Sequence, residues 1–128
     1  MRLLLDTCTF LWLTIEPKRV PKRVTEVFRD GETAAFLSIA SAWEIAIKHK
    51  LGRLDLPLPP SRYIPERIAQ YGLDVLDIRL PHVTEAGSLP LYHNDPFDRL
   101  LIAQAGCEGL TVATPDPSFG PYDVRTMW

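Results

Sequence analysis

Short apolar runs alternate with longer segments of helical period along this chain. Leu3–Leu5 is a fully apolar triplet stopped by Asp6 and reads as a strand, and Thr7 can cap a helix running to about Ile15. The tandem "PKRVPKRV" that follows is a local echo, with Pro21 expected in the first turn of a second helix that Gly31 closes. "AAFLS" reads as the second strand and leads into a helix across "IASAWEIAIKHKLGRL". A proline-rich connector, "LPLPPSRYIP", precedes a helix ending near Gly72. "LDVLDI" reads as the third strand, "PHVTEAGSL" as a short helix, and Pro96 to about Glu108 as a long apolar helix that Gly109 stops. "LTVAT" and "YDVRTMW" supply the fourth strand and a short terminal one. Apolar strands alternating with helices predict one α/β domain over residues 1–128, its mostly parallel sheet flanked by helices.

That order decides where the carboxylates fall. Strands of an open parallel sheet deliver their C-terminal ends to one rim, where ligands bind. Asp6 ends the first strand and Asp116, in "TPDP", lies just past the fourth, so both reach that rim if the strands are neighbours. On a wheel of about 100° per residue, the third helix has an apolar arc of Ile39, Ala42, Trp43, Ile45, Ala46, Ile47 and Leu51. Glu44 falls at the edge of that arc, with Ser41 and Lys48 further out. The helix from Pro96 is apolar almost all round, and Asp98 projects between Ile102 and Ala105. A lone charge facing packing is costly unless something pairs with it.

Each carboxylate has a plainer role available. Asp95, Pro96 and Asp98 make a good helix start, Asp6 can cap the first helix, Asp116 can shape a proline turn, and Glu44 can be a solvated helix glutamate. Four pointing to one rim is a different matter. Carboxylates about 4 Å apart repel by roughly 4 kcal/mol per pair at an effective dielectric near 20. Such a cluster calls for a cation, and an all-oxygen ligand set suits Mg²⁺ or Mn²⁺.

Composition trims the alternatives. A chain of 128 residues with 46% hydrophobic and 23% charged residues is globular, and a formal charge of -2 excludes coating nucleic acid by bulk charge. Local basic strips remain: Lys18, Arg19, Lys22 and Arg23 form one block, and Lys48, His49, Lys50 and Arg53 another, with His93 beside the acidic segment. Either block can be solvated surface or a phosphate contact. Arg99, next to Asp98, is expected as a structural ion-pair partner. Cys8 and Cys107 form no motif with each other or with the three histidines and read as buried thiols in a reducing compartment. The start "MRLLLDTCTFLWL" imitates a signal peptide, but an aspartate mid-bilayer costs about 2.5–3.5 kcal/mol. No small-residue cleavage site follows, so a soluble, cytoplasmic protein without membrane contact is expected.

With those residues in place, "LLLDTCTFLWL", "SIASAWEIAIKHKLGRL", "HNDPFDRLLIAQA" and "TVATPDPSFGPY" together resemble the PIN-domain endoribonucleases, specifically VapC-type toxins of toxin–antitoxin pairs. The segments occur in the family's order and span nearly the whole chain, and "DPFDRLLIAQA" is the most specific. The resemblance implies Mg²⁺-dependent cleavage of single-stranded or looped RNA, with Mn²⁺ as a substitute, leaving a 5′-phosphate and a 3′-hydroxyl. It carries an acidic site onto Asp6, Glu44, Asp98 and Asp116, with Asp95 as a neighbour, Thr114 accompanying Asp116 and Thr7 beside Asp6. Asp6 and Asp98 are then the direct metal ligands. The prolines on both sides of Asp116 depart from the family pattern. The resemblance also implies a homodimer and an antitoxin whose apolar helix covers a groove near Trp12 and Trp43.

Two other readings compete. A receiver-like signalling domain also sets an acidic Mg²⁺ pocket on a parallel sheet, but it wants an acidic pair after the first strand and a phosphoacceptor ending the third; here Asp6 is single and Asp77 lies inside the expected strand. A phosphatase of the DxDxT type fails because Cys8 occupies the second aspartate's place. A PIN fold retained only for binding is the remaining alternative.

Overall fold

The structure, a computed structural model, describes residues 1–128. Five strands, β1 (Arg2–Leu5), β2 (Ala34–Ser38), β3 (Asp74–Leu76), β4 (Thr111–Ala113) and β5 (Thr126–Met127), form one sheet in the order β3-β2-β1-β4-β5. Every pairing is parallel. Each crossover therefore needs a covering segment, and most contain helices: α1 (Thr7–Ile15), α2 (Lys22–Arg29), α3 (Ile39–Lys50), α4 (Pro60–Tyr71), α5 (Leu80–Ser88) and α6 (Pro96–Glu108).

Side chains alternate across the central strand and seed two cores. Leu3 and Leu5 face a cluster with Phe10, Leu37, Ile45 and Tyr63, while Leu4 faces one with Leu101, Ile102, Val112 and Phe119. All three β1 leucines are fully buried, as expected for a strand covered on both faces. The strand order reverses direction between β1 and β4, and this topological switch opens a crevice at their C-terminal ends. A receiver domain has the order 2-1-3-4-5 instead, so the topology removes that alternative.

Several boundaries differ from the sequence expectation. The third helix stops at Lys50 rather than continuing through Leu54, and Gly52, at φ 72°, turns the chain there. Six of the ten residues of the proline-rich connector are helical: α4 starts at Pro60, where a missing N–H costs nothing, and carries Pro65 inside it. Pro21 precedes α2 as its cap, and α2 ends at Arg29 before Gly31 is reached. The third and fifth strands are shorter than read, because only three and two residues find ladder partners.

The buried face of α3 is not the one its bulky residues predict. Ile39, Trp43 and Leu51 are exposed, Trp43 by 61%, whereas Ala40, Ser41, Glu44 and Ile45 are buried. Weighting the bulky residues drew the arc to the wrong side; the helix packs through its small ones. Glu44 therefore sits on the inward face rather than at its edge. No helix is long and apolar enough to cross a membrane.

Candidate active site

Asp6 emerges from β1 at the switch point and caps α1, its Oδ1 accepting the Thr9 N–H at 2.7 Å. Its Oδ2 accepts the Thr114 hydroxyl at 2.6 Å, which ties the end of β1 to the residue following β4. The Thr9 hydroxyl donates to the Ala113 carbonyl across the same seam. Asp6 is 4% exposed. Burial raises its pKa despite the hydrogen bonds from Thr114 and Thr9, and the nearby Asp116 charge adds to the rise.

Glu44 arrives from α3 and is equally buried. Its Oε1 accepts the Thr7 hydroxyl at 2.6 Å, and its Oε2 pairs with Lys48 Nζ at 2.8 Å, one helical turn on. The Thr7 hydroxyl also lies 3.0 Å from that of Ser41. Lys48 has its pKa raised, chiefly by the Glu44 hydrogen bond, with Asp95 and Asp98 contributing charge. Thr7 and Thr114 thus brace one buried carboxylate each.

The start of α6 supplies two more. Asp95 caps it, Oδ1 accepting the N–H groups of Phe97 and Asp98 at 2.9 and 3.0 Å. Asp98 sits half-buried one turn in. Its pKa is pushed up to about 7, first by desolvation and then by Asp95, Glu44, Asp116 and Asp6 in that order, with no hydrogen bond to offset the rise. All five carboxylates line one crevice. Asp116, after β4, takes the Ser118 N–H on Oδ1 and begins a short 3-10 turn (Pro117–Phe119). The flanking prolines shape this turn and leave the carboxylate in the crevice.

A cavity of about 390 Å³ is lined by Asp6, Glu44, Asp95, Asp98 and Asp116, and also by Lys48 and Arg53. All five acidic residues singled out in the sequence meet there. Thr7 lines it too, and Thr114 reaches it through Asp6. Of the basic residues, only Lys48 and Arg53 contribute to the wall; Lys18, Lys22, Arg23, Lys50 and His93 do not. Arg19 lies over the Trp12 ring, 3.8 Å from its centroid, and Trp12 is itself a wall residue. His93 packs against the Tyr122 ring and accepts the Asp95 N–H.

Sequence reasoning missed Cys8, Leu11 and Leu54 in the wall, and Ser41 and Thr9 behind it. Thr9 was discoverable, since it stands three residues after a helix-capping aspartate. Burial and the Asp6 carboxylate push the Cys8 thiol up to about 11, so it stays protonated near neutrality and is no nucleophile. The other miss is Arg99, which has no acidic partner: its guanidinium donates to backbone carbonyls and the Tyr122 hydroxyl. A larger cavity of about 610 Å³ lies between α5, α6 and the segment 121–123; only Glu85 and Asp123 are acidic there, and no basic residue lines it.

A 3-2-1-4-5 parallel sheet with carboxylates gathered at its switch point defines the class: the chain belongs to the PIN-domain family, whose pattern it matches over residues 3–124. Among individual proteins it is similar to Ribonuclease VapC16 of Mycobacterium tuberculosis, 39% identical over 56 residues. That match takes in 44% of this chain and only 40% of the relative's length. Its fold is similar to that of VapBC2 from Rickettsia felis bound to a promoter DNA fragment, with a TM-score of 0.74 at 13% identity over 99% of this chain and 98% of that one. DNA-bound VapBC from Salmonella typhimurium gives 0.71 at 21% identity, covering 99% and 97% of the two chains. FitAcB from Neisseria gonorrhoeae gives 0.65 at 23% identity, covering 98% and 96%.

Proposed function

We propose that this protein is a divalent-cation-dependent endoribonuclease, the toxin of a toxin–antitoxin pair, acting on RNA in the cytoplasm. The observation that carries the reading is the convergence of five carboxylates, from four places in the chain, on one crevice. The name of the mycobacterial relative and the membership of the PIN family support it.

The donor set fits Mg²⁺ or Mn²⁺. It is all oxygen, and Asp98 has no protein hydrogen bond to satisfy it. No three acidic side chains are gathered tightly enough to hold an ion unaided. That suits Mg²⁺, which keeps several waters and takes one or two carboxylates. Asp6 and Asp98 would hold it directly, with Glu44, Asp116 and Asp95 on its waters or on a second ion. A cation held there would supply a more acidic water as nucleophile and positive charge opposite the leaving oxygen.

The chain's own groups do the rest. Thr114 holds Asp6, and Thr7 holds Glu44, so neither carboxylate needs to reorganise when RNA arrives. Lys48 and Arg53, at the wall, take the phosphates flanking the scissile one. Lys48 meanwhile neutralises Glu44, which limits repulsion of the incoming phosphodiester. A cognate antitoxin protein joins the proposal on the strength of the VapBC complexes whose fold this chain shares, and a homodimer joins it on the family resemblance alone.

The test is cleavage of total and transfer RNA by the purified chain with and without Mg²⁺ or Mn²⁺, beside Asp98→Asn. Metal-dependent products that vanish in the variant are expected. Equal cleavage by both proteins, or none by the folded, metal-loaded chain, overturns the reading in favour of a binding role.

A further inference from the structure

We propose that Arg99 is a positioning residue for the cation site, acting through the loop that delivers Asp95 to the crevice. The inference rests on the cation-binding part of the proposed function and not on RNA cleavage.

Arg99 is 7% exposed and pairs with no carboxylate. Its Nη1 donates to the carbonyls of Pro90 at 2.8 Å and His93 at 3.3 Å, and to the Tyr122 hydroxyl at 3.0 Å. Its Nη2 donates to the carbonyls of Ala86 at 3.1 Å and Leu89 at 2.9 Å. Tyr122 in turn donates to the Pro90 carbonyl at 2.8 Å. A buried cation with only dipoles for partners is expensive to keep, and such a group needs a use.

The use lies in the loop. Residues 89–94 join α5 to α6 and make no backbone–backbone hydrogen bond with any loop, cap or turn of the molecule. The carbonyls of Leu89, Pro90 and His93 are held by Arg99 and Tyr122 instead. At the loop's end the Asp95 N–H donates to His93 Nδ1, and Asp95 caps the helix on which Asp98 stands. One fork therefore gathers the end of α5, the loop and the C-terminal segment around the first turn of α6. The α6 backbone returns the connection, the Arg99 N–H donating to the Asp95 carbonyl at 3.0 Å. A lysine in the same place reaches one or two of these carbonyls and cannot reproduce the planar fork.

The experiment measures Mn²⁺ binding to the intact protein by electron paramagnetic resonance, for the unmodified chain, Arg99→Lys, Asp95→Asn and the double variant. Arg99→Lys is expected to fold, to weaken Mn²⁺ binding about tenfold, as loss of groups that orient ligands does, and to speed amide exchange selectively in residues 89–98. Tyr122→Phe keeps the ring and loses two of the bonds, so it is expected to shift binding the same way by less. In the Asp95→Asn background Arg99→Lys adds little further, because both act on one loop. Mn²⁺ affinity unchanged in Arg99→Lys, or a loss that adds fully to that of Asp95→Asn, overturns the proposal alone. No Mn²⁺ binding by the unmodified chain overturns the cation reading and this inference with it.

Discussion

The first turn of α6 carries two adjacent charges in opposite circumstances. Arg99 is buried and held through both terminal nitrogens by five hydrogen bonds to neutral groups. Asp98, beside it, is half-buried and receives no hydrogen bond; burial first, and then the charges of four other carboxylates, raise its pKa to about 7. The buried cation holds the carbonyls of the loop ahead of the helix. The unsatisfied one stores free energy that a bound cation can release, so structural and functional charges are told apart by what they lack.

That contrast is most sharply tested at Asp98. Asp98→Asn keeps the shape and removes the charge. Cleavage is expected to fall by at least about 10²-fold, since cation chemistry at a phosphoryl centre supplies several kcal/mol. The same change should stabilise the metal-free fold above neutral pH. The folded-state pKa of about 7 lies above the ordinary 3.8, so Asp98 binds a proton when folded that it lacks when unfolded. Its contribution to stability is full below about pH 4 and is lost as pH rises to 7. Thermal melts in chelator should show the variant ahead at pH 8 by about 2 kcal/mol and the gap closing at pH 4–5. A variant less stable at pH 8 breaks the comparison.

A second test uses a carboxylate already satisfied. Thr114→Val strips Asp6 of its hydroxyl donor. A cost of about 1–3 kcal/mol in stability is expected, with metal affinity down about tenfold, read by chemical denaturation and Mn²⁺ titration. The pH dependence of Mn²⁺ binding comes next: between pH 7 and pH 5 affinity should weaken with falling pH, approaching tenfold per unit as one proton on Asp98 competes. A flat profile would show that Asp98 is not the competing group.

Smaller effects separate the basic residues. Lys48→Met should reduce the salt dependence of RNA binding by about one unit of slope while leaving Mn²⁺ binding intact or slightly tighter, since Lys48 competes for Glu44. The smallest change is expected for Lys22→Ala with Arg23→Ala, which touch no wall of the crevice. Filter binding at several salt concentrations measures both, and a steeper loss for the second pair would move the RNA track to α2.

How much of this was legible in the sequence follows from what each element depends on. The alternation of apolar runs and helices sufficed for the sheet, because a strand buried on both faces has to be apolar throughout, as Leu3–Leu5 is. Asp98 was visible because the helical period sets an acid between Ile102 and Ala105 on an almost wholly apolar helix, and the structure leaves it half-buried in the crevice. Glu44 was found by type and resemblance, although its helix was turned the wrong way: Trp43 looks like core, and only the tertiary fit leaves it exposed against Phe97 while Ser41 goes inside. Arg99 defeated the reading because its partners are carbonyls brought together by the fold, and no side-chain pattern encodes a carbonyl's position.

Three of the five acidic residues double as helix or turn caps: Asp6, Asp95 and Asp116. If the proposed toxin activity is scored in a growth screen, with survival reporting its loss, these positions would be struck by two independent routes. Alanine there removes a cap worth about 1 kcal/mol together with the charge, whereas asparagine keeps the cap. A survivor map would therefore overstate their chemical importance relative to Asp98 and Glu44, and only the asparagine column of that map would rank the site by charge.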